Sequence, residues 1–285
     1  MDLAAYALGL VTATTLEGKL RPPPEGASAA AGARQRAEID AVPFMPGRPP
    51  ELLIRPWLEA RTPRLGGWPD PRQRWRILHA LANHELQAVE LFAWALLAFP
   101  TAPVEFRSGL LGILADEQRH CRLYIERIEQ LGHAFGDAPV SGYFWNKLAT
   151  MSSPARFVAA MGLVFENANL DHALDAVAVA EGCGDHESAE VLRRVHRDEV
   201  RHVAFAWRWL GAFREPGQDM WDAFLEHTVW PLRPALARGR SFDRAGREAA
   251  GLDPEFIDRL EATERRRTPG PLAERPGPEP GAGPA

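Results

Sequence analysis

Two stretches of the sequence, Asp116-Glu117-Gln118-Arg119-His120 and Asp198-Glu199-Val200-Arg201-His202, repeat one pattern, D-E-x-R-H. Each lies inside a long run of helical periodicity, where a glutamate and a histidine three residues apart share a face. A further glutamate precedes each pair on the preceding helix: Glu85 stands 32 residues before Glu117, and Glu166 stands 33 before Glu199. The helical neighbours of all four are largely apolar. Leu78, Leu81 and Phe92 flank Glu85, and Leu110, Ile113 and Leu114 precede Glu117. Leu163 and Leu170 bracket Glu166, and Leu192, Val195 and Val203 surround Glu199. A lone buried carboxylate costs several kcal/mol unless it is paired or coordinates a metal. Four of them pointing inward with two histidines require cations between them. The pattern therefore demands an all-α fold, a bundle of long helices that holds two metal ions.

The rest of the chain supplies those helices. An N-cap acid followed by proline, Asp70-Pro71, opens the first, which Pro100 stops after Phe99. The second runs from about Thr101 to Leu131 and ends at Gly132. The third opens at Ser153-Pro154 and fades at Gly182-Cys183-Gly184, and the fourth runs from Asp185 to about Phe213. Measured from their turns near Thr101 and Cys183, the four glutamates lie 16 or 17 residues away. At a helical rise that is ~24–26 Å, one level of two antiparallel hairpins. Residues 3–19 read as one helix, and residues 21–50 as a Pro-rich arm with Phe44, Leu52, Leu53, Ile54 and Trp57 as its anchors. An aromatic connector spans residues 139–150, and short helices are expected at Trp221–Trp230 and Pro254–Leu260. The division expected is an N-terminal helix and arm at 1–70, a four-helix bundle at 71–215, accessory helices at 216–263 and a disordered Pro/Gly-rich tail at 264–285.

A net charge of −5 gives no support for a nucleic-acid or acidic-membrane partner. Cys121 falls within a helix and Cys183 in a turn, so no disulfide framework is implied and a reducing compartment fits. The start, Met1-Asp2, lacks a basic signal-peptide region, and no segment approaches the length of a membrane span. The expectation is a soluble, cytoplasmic protein.

The whole arrangement resembles the ferritin-like di-iron carboxylate proteins, which place a Glu on each of two helices and Glu-x-x-His on each of the other two. More finely, the chain resembles a bacterial ferritin-like family designated domain of unknown function 455. That likeness is carried by Asn83-His84-Glu85-Leu86-Gln87-Ala88-Val89-Glu90, by Leu114-Ala115-Asp116 through His120, by Phe165-Glu166-Asn167-Ala168-Asn169 and by Val195 through Val203. The resemblance implies six ligands: Glu85, Glu117 and His120, with Glu166, Glu199 and His202. Two carboxylates would bridge two ions and each histidine would cap one. Oxygen and imidazole donors suit iron, with manganese or a mixed pair as alternatives. Asp116 and Asp198 each stand four residues before a histidine, where a carboxylate can accept the proton of the imidazole nitrogen that faces away from the metal.

Other residues near this face read first as scaffold. His196 is a core histidine or an additional ligand. Glu90 and Asp171, five residues beyond their glutamates, point away toward a polar network. His84 and His172 are structural or exposed, Asn169 adjoins the ligands, and Cys121 packs as a small hydrophobe. Tyr124, four residues beyond His120, is a core tyrosine or, by its likeness to the radical tyrosine of the ribonucleotide reductase small subunit, a catalytic candidate. The resemblance implies an O2-dependent oxidoreductase acting on a small-molecule substrate with an outside electron donor, and an oligomer is compatible with it. The competing expectation is metal storage or peroxide detoxification without an organic substrate.

Overall fold

A computed structural model describes residues 3–24 and 42–263. The expected tail at 264–285 and the middle of the expected arm lie outside the described residues. Four long helical rods dominate. Helix α1 (Leu3–Thr12) and the short α2 (Leu16–Leu20) precede α3 (Pro71–Ala98) and α4 (Val104–Gln130). A third rod is built from α5 (Pro154–Ala160), a π-helical segment (Met161–Glu166) and α6 (Asn167–Gly182), and α7 (His186–Phe213) is the fourth. Three short helices follow, α8 (Met220–His227), α9 (Arg244–Ala249) and α10 (Pro254–Glu261).

The helix starts are chemically marked. Asp70, Ser153 and Asp185 each accept a backbone N–H of the first turn, and Pro71 and Pro154 occupy first helical positions. At the end of α6 the chain turns through Gly184, whose φ of 71° suits glycine, and the Asp185 N–H reaches back to the Ala180 carbonyl. Helix α3 packs on α4 and α6 on α7, and α7 also touches α4, α5 and the π segment. The chain is all-α, as its periodicity demands. Among the described residues no helix is long and apolar enough to cross a membrane.

The core divides into two apolar clusters. One holds Leu110, Leu114, Leu163, Leu170 and Val203; the other holds Leu78, Leu86, Tyr124, Leu192 and Val195. On α3, α4 and α7 the change from one to the other falls at the glutamates of the repeated pattern, so a polar layer crosses the bundle at one height.

Several expectations are corrected. Residues 3–19 form two helices, not one, because Thr15 caps α2 by accepting the Gly18 N–H. Helix α9 was not foreseen; it is short and capped by Asp243. The third rod is not a plain α-helix, since six of its residues are π-helical and the Asn167 N–H bonds to the carbonyl of Gly162, five residues back. Gly162 permits this close-packed geometry: a Cβ there would lie 2.1 Å from the Cβ of Ala206 on α7. The arm is held differently as well. Leu52 is buried and Ile54 partly so, but Phe44, Leu53 and Trp57 are exposed. Polar fastening joins the anchors Leu52 and Ile54: Arg48 forks onto Glu90 of α3 at 2.8 and 2.7 Å. A two-residue parallel bridge, β1 (Ile54–Arg55) with β2 (Val140–Ser141), ties the arm to the connector.

Candidate metal centre

Helices α3, α4 and α7 and the last π-helical residue bring Glu85, Glu117, Glu166, Glu199, His120 and His202 together in the polar layer. None is more than 7% exposed. Two groups of four can each hold a metal ion: Glu85, Glu117, His120 and Glu199, and Glu117, Glu166, Glu199 and His202. Within each group the donor atoms lie within 4.8 Å of one another. Glu117 and Glu199 belong to both. The Glu117 carboxylate spans the two imidazoles, with Oε2 3.5 Å from His120 Nδ1 and Oε1 3.0 Å from His202 Nδ1. The imidazole centroids are 5.8 Å apart.

The orphaned atoms test whether a cation fits. Glu117 Oε1, both oxygens of Glu166, Glu199 Oε2 and the Nδ1 atoms of His120 and His202 are buried without a hydrogen-bond partner. A buried polar atom left unsatisfied costs about 1–3 kcal/mol. Six that converge on one small volume would be satisfied together by a cation that receives their lone pairs. The electrostatics agree. Burial first, and then the charge of Glu117, pushes Glu85 well above the usual carboxylate range. Burial likewise raises Glu166, with Glu199 and Glu117 adding to it. Burial opposes a charge on Glu117, but the adjacent Glu85, His120 and His202 side chains hold it well below that range. Both imidazoles are raised despite burial, His120 chiefly by Asp198 and His202 chiefly by Asp116. The cluster draws positive charge to its centre, as protons or as metal.

The aspartates serve the opposite histidine from the one their spacing suggests. His120 Nε2 lies 3.0 Å from Asp198 Oδ2, and His202 Nε2 lies 3.2 Å from Asp116 Oδ2. As numbers rise on α4 they fall on α7, so the two helices run antiparallel and each D-E-x-R-H lies head to tail against the other. An aspartate four residues before a histidine is thereby placed across from the partner helix's histidine. Arg119 and Arg201 complete the crossing. Arg119 binds Asp116 at 2.7 Å and Asp198 at 2.6 Å; Arg201 binds Asp198 at 2.7 Å and Asp116 at 3.1 Å. Burial tends to raise Asp116, but His202 and Arg119 hold it down at about 2. With both aspartates accepting from Nε2, both Nδ1 atoms face the carboxylates.

The remaining candidates fall outside the donor groups. His196 bonds Asp243 at 2.8 Å, a half-buried pairing. Glu90 is held by Arg48, by Lys19 at 2.9 Å and by the Trp145 indole N–H at 2.8 Å. Asp171 is held by Arg247 at 2.7 Å and by the backbone N–H groups of Gly239 and Asp243. Asn169 donates to Glu199 Oε1 at 3.0 Å. Cys121 is buried against the Ala82 carbonyl, and burial pushes its thiol up. Tyr124 is buried on α4, and its hydroxyl is raised first by burial and then by the charges of Glu85, Glu199 and Glu117.

What the sequence did not disclose is a cavity of about 330 Å³ on the carboxylate side of the cluster. Glu85, Glu117, Glu166 and Glu199 form its floor, and Tyr143, Phe144 and Phe165 wall it. His84 and His172 also line it, so the expectation of merely structural or exposed roles understates them. The signal lay in the aromatic connector and in a histidine directly before Glu85. Without the tertiary contacts, neither pointed to a cavity.

The sequence profile of a family described as "Protein of unknown function (DUF455)" matches residues 13–258, and the chain belongs to that family. No curated protein and no solved structure matches the chain.

Proposed function

We propose that this member of the DUF455 family is a ferritin-like dimetal carboxylate protein that uses O2 to oxidise an organic substrate. One observation carries the proposal: two four-residue donor groups share Glu117 and Glu199 directly beneath a cavity of about 330 Å³. Glu85 and His120 complete one metal position, and Glu166 and His202 the other. Oxygen and imidazole donors suit iron or manganese, and iron is the pair we assign. Two divalent ions cancel the charge of the four glutamates, while Arg119 and Arg201 cancel Asp116 and Asp198. Residues 71–215 form the bundle that carries the centre, with 1–70 and 216–263 as accessory parts.

When bound, an iron pair supplies the redox chemistry that O2 activation needs, with further electrons from an outside donor. The residues of the chain then have definite tasks. Asp116 and Asp198 accept the Nε2 protons, which fixes the tautomer and leaves each Nδ1 as the donor to metal. Asn169 holds one oxygen of Glu199 and leaves the other, Oε2, free to ligate. Both oxygens of Glu166 are unengaged, so this carboxylate can change its mode of binding as charge at the centre changes. Phe144 and Phe165 present apolar surface above the floor of the cavity.

The cavity favours an enzyme over a storage protein, whose bundle core would be filled. The test is oxygen uptake after anaerobic reconstitution with ferrous iron. Rapid O2 consumption that is lost in Glu117→Ala is expected. Iron-loaded protein that consumes neither O2 nor peroxide would overturn the oxidative reading.

A further inference from the structure

The walls of the cavity limit the chemistry of what can occupy it. Among its lining residues there is neither lysine nor arginine, and its floor is four glutamates. The two arginines of the cluster, Arg119 and Arg201, lie on the histidine side, each paired with both aspartates. Lys147, which lies against the wall residue Tyr143, is already engaged. Its Nζ donates to the Tyr143 carbonyl at 2.6 Å and sits 3.4 Å from the centroid of the Tyr143 ring. Among the described lining residues there is no fixed cation: burial lowers His84 to about 4, and the charge of two ions at the floor would be balanced by its four glutamates, so an anion would enter without a counter-charge, which is strongly unfavourable.

Its surfaces instead suit an apolar body. Phe144 and Phe165 are stacked at 4.6 Å, and Tyr143 meets Phe165 edge-on at 5.9 Å, which makes a continuous aromatic wall. Leu81, Ala88, Met161 and Ala168 add aliphatic surface. Polar groups are few. Above the glutamates they are Thr62 from the arm, Ser141 from the connector, His84 from α3, and Asn169 and His172 from α6. Trp57, 55% exposed, and Tyr143, 37% exposed, mark the mouth, while Glu117 at 1% marks the floor. Such a mixture, apolar walls with a few orienting polar groups, is how small-molecule sites achieve specificity.

We propose that the cavity takes a neutral, largely apolar organic molecule, one carrying no carboxylate or phosphate, with its reacting end against Glu85, Glu117, Glu166 and Glu199. The assignment rests on the oxidative dimetal reading for the reaction and on the cavity walls for the substrate class. Cationic compounds are excluded as well once two divalent ions balance the floor.

Three probes of one shape separate these cases: 2-naphthol, which is neutral, 2-naphthoate, which is anionic, and 2-(aminomethyl)naphthalene, which is cationic. Their binding to the full-length, iron-reconstituted protein is measured by equilibrium dialysis at neutral pH under anaerobic conditions. Saturable binding of 2-naphthol is expected, with both charged analogues at least about tenfold weaker, a preference of about 1.4 kcal/mol. Leu81→Trp and Ala168→Phe fill the cavity from different walls, and each should abolish that binding while metal content is kept. Equal or tighter binding of either charged probe overturns the proposal. So does 2-naphthol affinity that is unchanged in a folded cavity-filling variant. Metal analysis of the same samples keeps the two readings apart. Protein that binds 2-naphthol but no metal contradicts the dimetal centre and upholds the apolar site, whereas metal-loaded protein without the preference contradicts this inference alone.

Discussion

Glu85 leaves an uninterrupted α-helix, whereas Glu166 is the last residue of a π-helical turn, although the two carboxylates occupy equivalent places in the two halves of the bundle. The surroundings diverge from there. Three residues beyond Glu85 stands Ala88, while three beyond Glu166 stands Asn169, which donates to Glu199. Five residues beyond, the halves converge in kind but not in detail. Glu90 is clamped by two cations, Arg48 and Lys19, and by an indole, all supplied by the arm, α2 and the connector. Asp171 is held by one cation, Arg247, and two backbone N–H groups from the C-terminal part. Each half is thus fastened by the terminal segment that covers it. The first half is fixed by redundant charge and a regular helix. The second is adjustable at Glu166, whose wide turn and unengaged oxygens permit movement. Equivalent sequence positions do not make equivalent candidate metal sites.

The largest effects test the division itself. Glu117→Ala removes a donor from both groups, so both metals should be lost, whereas Glu166→Ala should leave one ion per chain at the Glu85 and His120 position. Equal loss in the two variants, read by metal analysis, would break the division. Next comes the fastening. Arg247→Met leaves Asp171 buried without a counter-charge and should cost about 3–5 kcal/mol in urea unfolding. Arg48→Met should cost clearly less, because Lys19 still pairs with Glu90.

The crossed aspartates give a finer test. Removing such a partner of a ligating histidine lowers metal affinity about 10–100-fold. In a Glu166→Ala background, where one ion remains beside His120, Asp198→Asn should show this loss and Asp116→Asn should not. The reverse result would restore the pairing along one helix. A smaller effect is expected of Asn169→Ala, which removes one hydrogen bond from Glu199 and should weaken metal binding by about 1 kcal/mol.

Last is a scaffold effect confined to the first half. His79 accepts the Gly136 N–H at 3.0 Å, and burial lowers its pKa from 6.5 to about 4; the equivalent position before Glu166 is Ala160. The unfolded chain therefore binds the His79 proton more tightly than the folded one. The contribution of His79 is full above about pH 6.5 and is lost as pH falls toward about 4, with roughly 1 kcal/mol gone by about pH 5.5. Metal-free His79→Gln should show a flatter stability profile across this window, checked by denaturant titration.

The long helices and the level of the glutamates were legible because local rules govern them. Caps at Asp70, Ser153 and Asp185, stops at Pro100 and Gly184, and a fixed rise per residue place Glu85, Glu117, Glu166 and Glu199 without tertiary knowledge. The pairing of Asp116 with His202 was not legible, since it depends on the antiparallel alignment of α4 and α7 rather than on spacing within either helix. The π turn before Glu166 escaped notice for a similar reason: it answers to the packing of Gly162 against Ala206 across two helices. The arm misled because Phe44, Leu53 and Trp57 look like anchors by hydrophobicity, whereas Leu52, Ile54 and the ion pair of Arg48 with Glu90 do the holding. The cavity required side chains from the arm, the connector and all four rods, a conjunction no window of sequence contains.

The most direct measurement is an anaerobic titration of metal-free protein with ferrous iron, with bound iron counted after removal of excess. Two shared bridging carboxylates predict two ions per chain, falling to none in Glu117→Ala and to one in Glu166→Ala. A stoichiometry of zero or one in the parent protein, or full occupancy in Glu117→Ala, would contradict the dimetal centre.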